Sequence, residues 1–427
     1  MTPPDPFKAG YVRRLVDAEL DALLPHLPAI LLDGAKGVGK TETALRRCAS
    51  ARRLDLEPDR SIVESEPTLV AGDAPPVLID EWHRVPIIWD AVRRLVDAGS
   101  GGPYVLTGSA PSASTHSGAG RISTIRMRPL AFCERGLAEP SVSFQALLGG
   151  ARPPIGSRSA LTLSDYVDEL VGGGFPGIRG LPEHAQAARL DGYIERIIDH
   201  DVAEAGVTVR RPETLRAWMR AYAAATGTTA SWETIRDAAA GGHVARPAKA
   251  TAASYSDLLQ SLRILDPVEA WLPTNNQFTR LTGSPKHHLA DPALAARLLQ
   301  RTASQLISSS DGAASVPRDG SLLGKLFESL VTLTVRTLAQ TAGARTYHLR
   351  TEGGRREVDL IVESAEGIVA IEVKTGQTAS DHDVRHLVWL AGELGDELLD
   401  RLIITTGSEA YRRPDGIAVV PLALLGP

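Results

Sequence analysis

The sequence has few cysteines, no long apolar run and no excess of positive charge. Its two cysteines, Cys48 and Cys133, stand far apart with no metal-ligand spacing around them, which excludes a cysteine-based metal site and fits a reducing cytosol. No uninterrupted stretch of about 18 apolar residues occurs, and residues 1–9 lack an apolar core of signal-peptide length, so the expected location is cytoplasmic with no membrane partner. The formal net charge is -5 and the pI near 6.1. A global polyanion-binding surface is thereby excluded, and any nucleic-acid contact has to come from local patches. Arg46-Arg47, Arg93-Arg94, Arg210-Arg211 and Arg355-Arg356 are the candidates, each equally readable as a solvated helix face. A length of 427 residues suggests two or three domains.

What is abundant is glycine at chemically meaningful places. Gly34-Ala35-Lys36-Gly37-Val38-Gly39-Lys40-Thr41 fits G-x-x-x-x-G-K-[ST] between the apolar run 29–33 and an alanine-rich helical pattern beginning at Glu42. A loop of this kind turns successive backbone N–H groups toward phosphates, with the helix N-terminus adding positive potential, Lys40 reaching the outer phosphates and Thr41 offering its hydroxyl to magnesium. The expected nucleotide contacts are Gly34 through Glu42. Further on, Val77-Leu78-Ile79-Asp80-Glu81 reads as a buried strand ending in two carboxylates. At the C-terminal edge of a parallel sheet, Asp80 would hold Mg2+ and Glu81 would polarise the attacking water. The strand 104–107 ends in Thr107-Gly108-Ser109, where Thr107 or Ser109 would contact the γ-phosphate or the water. Arg121 reads as a phosphate sensor or finger, or as an ordinary surface arginine. The expected cofactors are therefore ATP and Mg2+.

GAKGVGKT, VLIDEW, YVLTGSA, the GR of GAGRI and RPLAFCE together resemble the bacterial and archaeal AAA-type ATPases that carry a C-terminal DUF4143 region. The later chain is similar as well: Gly172-Gly173-Gly174-Phe175-Pro176 resembles the GGFP turn of that DUF4143 region, residues 193–201 its Y-x-x-x-I-x-x-x-D helix, and residues 286–294 its K-x-x-x-x-D-x-x-L segment. The resemblance implies a sensor role for Thr107 and a winged helix-turn-helix over 226–271, which either reads DNA or packs as a spacer.

The second chemical constellation lies near the end of the chain. Gly324 to Glu328 opens a helix, Asp359 lies on one strand, and Glu372 and Lys374 stand two apart on the next, facing the same side. Asp359 and Glu372, completed by Glu328, would hold Mg2+, and Lys374 would orient or activate water. The set resembles the PD-(D/E)XK, restriction-endonuclease-like fold, with Val358 where that pattern has proline. Arg350, Arg355 and Arg356 would suit a phosphate backbone beside it, or simply solubility.

The expected architecture is α/β: a P-loop NTPase domain with a parallel sheet and flanking helices over 1–150, a helical and winged-helix region over 151–310, and a C-terminal α/β restriction-endonuclease-like domain over 318–427. The expected function is an ATPase whose nucleotide state controls a nucleic-acid-directed module, with DNA or another nucleic acid as partner. The alternative is a nucleotide-dependent switch or scaffold whose C-terminal module is an inactive platform for a protein partner. The sequence leaves the oligomeric state open.

Overall fold

The computed structural model describes residues 10–108, 118–204, 211–240, 245–271, 283–308, 321–351 and 354–427. Its N-terminal part is a five-stranded sheet of β1 (Ala29–Asp33), β2 (Ser50–Arg53), β3 (Val77–Asp80), β4 (Tyr104–Gly108) and β5 (Ser123–Arg126), in the order β2-β3-β4-β1-β5. Every pairing is parallel. The central strands are apolar without alternation because both faces are covered, as parallel sheets require. Val77, Ile79 and Leu106 pack on one side against Ile88, Ala91, Val92 and Leu95 of the helix Ile87–Asp97. Leu32, Leu78, Val105 and Ile125 enter a second core on the other side.

Parallel register brings the strand ends to one edge. Asp80 lies opposite Thr107, and Asp33 lies opposite Gly108 on one side and Arg126 on the other. The P-loop leaves β1 at that edge, so four strands present polar residues to it.

The middle of the chain is helical, with Leu163–Gly172, Glu183–Arg196, Pro212–Ala224, Trp232–Ala238, Lys249–Ser261 and Pro292–Leu298 as its main helices. The last two are joined through residues that make antiparallel bridges, Leu265 with Leu289 and Val268 with Lys286. Among the described residues, Lys249–Ser261 is packed by Tyr255, Leu258 and Leu259 into the same core as Trp218 and Tyr222.

A second sheet of eight strands contains β9 (Arg345–Arg350), β10 (Glu357–Glu363), β11 (Ile368–Lys374), β12 (Leu398–Thr405), β13 (Glu409–Arg412) and β14 (Ala418–Pro421). Its two edges come from elsewhere. β7 (Gly156–Arg158) pairs with β13, and β8 (Ala270–Trp271) pairs with β9. β6 (Val142–Ser143) meets β15 (Leu425–Gly426) at the chain end. The expected boundaries are thus crossed by main-chain pairing, and one core runs from Val16 through Leu215 and Leu330 to Leu425. Among the described residues no helix is long and apolar enough to cross a membrane.

Candidate functional site

The P-loop turns on glycines in the left-handed region, Gly37 at φ 78° and Gly39 at φ 101°, the latter capping the helix Lys40–Leu45. Gly34 is forced by contact: a Cβ there would lie 2.1 Å from the Met127 carbonyl oxygen. Inside this loop the Lys40 ammonium donates to the carbonyls of Gly34 at 2.7 Å and Ala35 at 2.9 Å. Burial pushes its pKa down to about 8, and the more distant carboxylates of Glu81, Asp33 and Asp80 only partly oppose this. Lys40 is therefore a buried cation bonded to neutral oxygens, the condition that a phosphate would relieve.

Beside it, Thr41 Oγ1 donates to Asp80 Oδ1 at 2.9 Å, and the Thr107 hydroxyl donates to the same oxygen. A hydroxyl at the start of the P-loop helix and a carboxylate at the end of β3 are the donors that a nucleotide-bound magnesium takes, so these residues fit the ion. Glu81 follows with φ 55°, an unusual backbone for a non-glycine residue and one that accumulates at functional sites. Its carboxyl is raised by burial and by Asp80, with Lys40 opposing. His83 Nδ1 lies 3.4 Å from Glu81 Oε2, and burial together with Arg84 pushes that imidazole down to about 4, leaving it neutral.

Other residues expected at the nucleotide are directed elsewhere. Glu42 is exposed and pairs with Arg46 at 2.8 Å on the outer helix face. Arg121 pairs with Asp97 at 2.9 Å, both side chains open to solvent, so its ion pair belongs to the helix Ile87–Asp97. Val38 is buried and its carbonyl accepts from Arg14 Nη1 at 2.8 Å. Ser109 lies outside the described residues. The arginine at the strand-end edge is Arg126, which pattern reading passed over. Its guanidinium is 3.5 Å from Asp33 and 3.8 Å from Asp266, and burial pushes it down to about 10 despite Asp266.

Lys36 makes a connection. Its ammonium bonds Asp201 at 2.7 Å and Glu204 at 2.9 Å, and Arg84 reaches Glu204 at 2.6 Å. The Tyr193 hydroxyl donates to the Lys36 carbonyl at 3.0 Å. Tyr193 lies on Glu183–Arg196, which continues through a π turn over Ile197–Asp201. The tip of the phosphate loop is therefore fastened to the helical region.

The C-terminal set converges as its spacing predicts. β10 and β11 are antiparallel, with Leu360 opposite Ile371, which brings Asp359 beside Glu372. Asp359 Oδ2 accepts from the Val373 N–H at 2.9 Å, and Lys374 Nζ is 3.6 Å from Glu372 Oε2. Glu328 arrives from the helix Leu322–Thr341. Among these groups lies a residue that pattern reading did not assign to them, Lys286. Its ammonium is 2.7 Å from Glu328 Oε1, 3.0 Å from Asp359 Oδ1 and 3.5 Å from Glu357 Oε1.

Burial opposes the Lys286 charge, but Asp359, Glu328 and Glu357 outweigh it and hold the ammonium well above the usual lysine range. Burial also raises Glu328 to about 7 and Glu372 well above the carboxylate range, both with the help of Asp359. Asp359 goes down to about 2 against its own burial, because Lys286 and Lys374 favour its charge. Glu372 Oε1 is buried without a hydrogen-bond partner, 3.9 Å from His386 Nδ1. Where magnesium is expected the structure thus has a lysine. The Lys286 ammonium sits against both Asp359 and Glu328, where a divalent ion would be repelled by it, and this arrangement does not fit the ion. Nearby, Arg350 bonds Thr229 and Arg356 lies over the Trp389 ring at 5.4 Å.

Comparison with known proteins agrees with the two ends of the chain. Residues 26–135 match the model of an AAA domain, and residues 323–425 match DUF4143, a domain of unknown function. Residues 163–305 match a further domain of unknown function, DUF8612, so the motifs at 172–176, 193–201 and 286–294, expected in DUF4143, fall outside the DUF4143 match. Uncharacterized protein Rv2008c of Mycobacterium tuberculosis and Uncharacterized protein Mb2031c of Mycobacterium bovis are each 26% identical over 423 residues, covering 96% of this chain and 83% of theirs. Among solved structures, the Walker-type ATPase PABY2304 of Pyrococcus abyssi is similar at 15% identity, with a TM-score of 0.40 over 70% of this chain and 99% of its own.

Proposed function

From a chain that carries an AAA domain followed by a DUF4143 domain, we propose a Mg2+-dependent ATP hydrolase that works as a switch, its nucleotide state passed through Lys36 to the helical region and on to the C-terminal module. The observation that carries this reading is the buried Lys40 ammonium, satisfied among the described residues by loop carbonyls alone, beside the Thr41–Asp80 pair. Phosphates replace those carbonyls as acceptors for Lys40, and the loop N–H groups complete their binding. Thr41 and Asp80 would hold Mg2+, which when bound neutralises charge on the phosphates. Glu81 orients the attacking water and accepts its proton, a role suited to a carboxyl whose proton affinity burial has raised. Thr107 reports on the γ-phosphate by exchanging its bond to Asp80 for one to the ligand or the water.

Calorimetry with ATP and Mg2+, joined to a phosphate-release assay, tests the reading. Lys40→Ala should lose binding, and Glu81→Gln should keep binding while turnover falls on the order of 100-fold or more. Undiminished turnover in Glu81→Gln would refute the assigned base.

Two forms of output are open to the C-terminal module. A nucleic-acid-cutting form is favoured by the convergence of Glu328, Asp359, Glu372 and Lys374. A docking form is favoured by Lys286, whose ammonium already pairs with Glu328 and Asp359 of that cluster. Magnesium-dependent cleavage of single-stranded, duplex or branched DNA that disappears in Asp359→Ala would decide for the first.

A further inference from the structure

We infer that Lys286 is the resident cation of the C-terminal cluster, a side chain holding the place that the endonuclease resemblance gives to magnesium. The inference goes with the docking form of the output and does not depend on ATP chemistry at the P-loop. Its basis is the direct approach of one ammonium to Glu328 Oε1 and Asp359 Oδ1, at 2.7 and 3.0 Å, with Glu357 Oε1 at 3.5 Å and the lysine only 1% exposed. Asp359 and Glu328 each already have an ammonium as their ion-pair partner. A divalent ion brought to the same oxygens would meet the ammonium at close range in a medium that screens poorly, and magnesium demands an octahedron of oxygens at short distances. With Lys286 in place, Glu372 is the remaining carboxyl of the expected set, and its neighbour is a second ammonium, Lys374 Nζ at 3.6 Å.

The lysine is also fixed. Its N–H donates to the Val268 carbonyl at 2.8 Å, and its carbonyl accepts from the Val268 N–H at 2.9 Å. The next residue, His287, donates to Thr228 O and accepts from Gly227 N–H, both at 2.9 Å, and the His288 carbonyl accepts from Asp266 N–H at 2.9 Å. Five positions beyond Lys286, Asp291 takes the Gly174 N–H at 2.7 Å and caps the helix Pro292–Leu298. These bonds hold the main chain of Lys286 in place, and with the residue only 1% exposed its ammonium is part of the site. The module then takes no divalent cation and performs no metal-dependent phosphodiester hydrolysis.

Mn2+ binding to the full chain without nucleotide, read from the electron paramagnetic resonance of the free ion, tests this. Wild-type protein should show no site that Asp359→Asn or Glu328→Gln weakens. Lys286→Ala should acquire one Mn2+ site, at least tenfold tighter than any in wild type, and Lys286→Ala/Asp359→Asn should lose it. Wild-type binding that falls tenfold or more in Asp359→Asn overturns the inference, as does a folded Lys286→Ala that gains no site. If Lys286→Ala does not fold, wild type against Asp359→Asn decides. ATP binding by the same proteins is measured in parallel, so that failure here is distinguishable from failure of the switch itself.

Discussion

Lys40 and Lys286 are both buried, 7% and 1% exposed, yet they are opposite kinds of lysine. Lys40 has two neutral carbonyls for partners and its pKa falls to about 8. Lys286 has three carboxylates and its pKa rises well above the ordinary value. A cation short of negative charge is an anion site waiting to be completed, whereas a cation already matched is part of the framework. The difference teaches that completeness of a motif's charged residues is a poor guide to activity: both ends of the chain carry the acids and lysines their patterns ask for, and only the first leaves its charge unspent.

The largest expected effect is on stability. Removing one partner from a buried ion cluster leaves uncompensated charge and costs about 3–5 kcal/mol, so Lys286→Met should lower the denaturant midpoint severely. Lys40→Met should do the reverse in nucleotide-free protein. The fall of the Lys40 pKa from 10.5 to about 8 corresponds to about 3 kcal/mol of unfavourable burial at neutral pH, which the apolar side chain avoids. Equal destabilisation by the two substitutions in urea melts would break the contrast.

The pH dependence of nucleotide binding sharpens it next. A lysine with a depressed folded pKa carries a penalty that is fully present below about pH 8 and is relieved as pH rises from there toward 10.5, because over that window the unfolded chain holds the proton and the folded one does not. For the ligand the sign is opposite. ATP needs the ammonium, so affinity should fall as pH rises through about 8, by up to about tenfold per pH unit, with proton uptake on binding in that range. Calorimetry in buffers of different ionisation heat reads both, and an affinity flat from pH 7 to 9.5 would remove Lys40 from charge-based binding.

How much was legible in the sequence follows from how local each interaction is. The P-loop, Asp80 and Thr107 could be read because β1, β3 and β4 are continuous apolar runs whose parallel pairing carries their last residues to one edge. Asp359, Glu372 and Lys374 could be read because one antiparallel pair of strands assembles them. Lys286 could not: it reaches Glu328 across 42 residues and Asp359 across 73, and no periodicity links them. The K-x-x-x-x-D-x-x-L pattern marked the residue but gave no role. β7 and β8 are 3 and 2 residues long, too short for alternation to register, so the boundary they cross looked clean. Lys36 looked like a phosphate contact because it lies within the motif, and its partners are 165 and 168 residues away.

The smallest expected effect belongs to that last residue. Lys36 is 32% exposed at its side chain, and partly exposed ion pairs are worth roughly 0.2–1 kcal/mol, so Lys36→Ala should change ATP affinity by no more than about fivefold. Its effect on communication should be out of proportion to that. Asp201 and Glu204 lie in and just after the π turn that ends the helix from Glu183, and the phosphate loop reaches them through Lys36 and through the Tyr193 hydroxyl on the Lys36 carbonyl. Hydrogen exchange over residues 193–204 should therefore differ between ATP-bound and nucleotide-free wild type. In Lys36→Ala most of that difference should vanish while binding persists. A variant that keeps the full ATP-dependent difference would show that the nucleotide state reaches the helical region by another route, through Phe175 beside Gly37 or Pro176 beside Gly39.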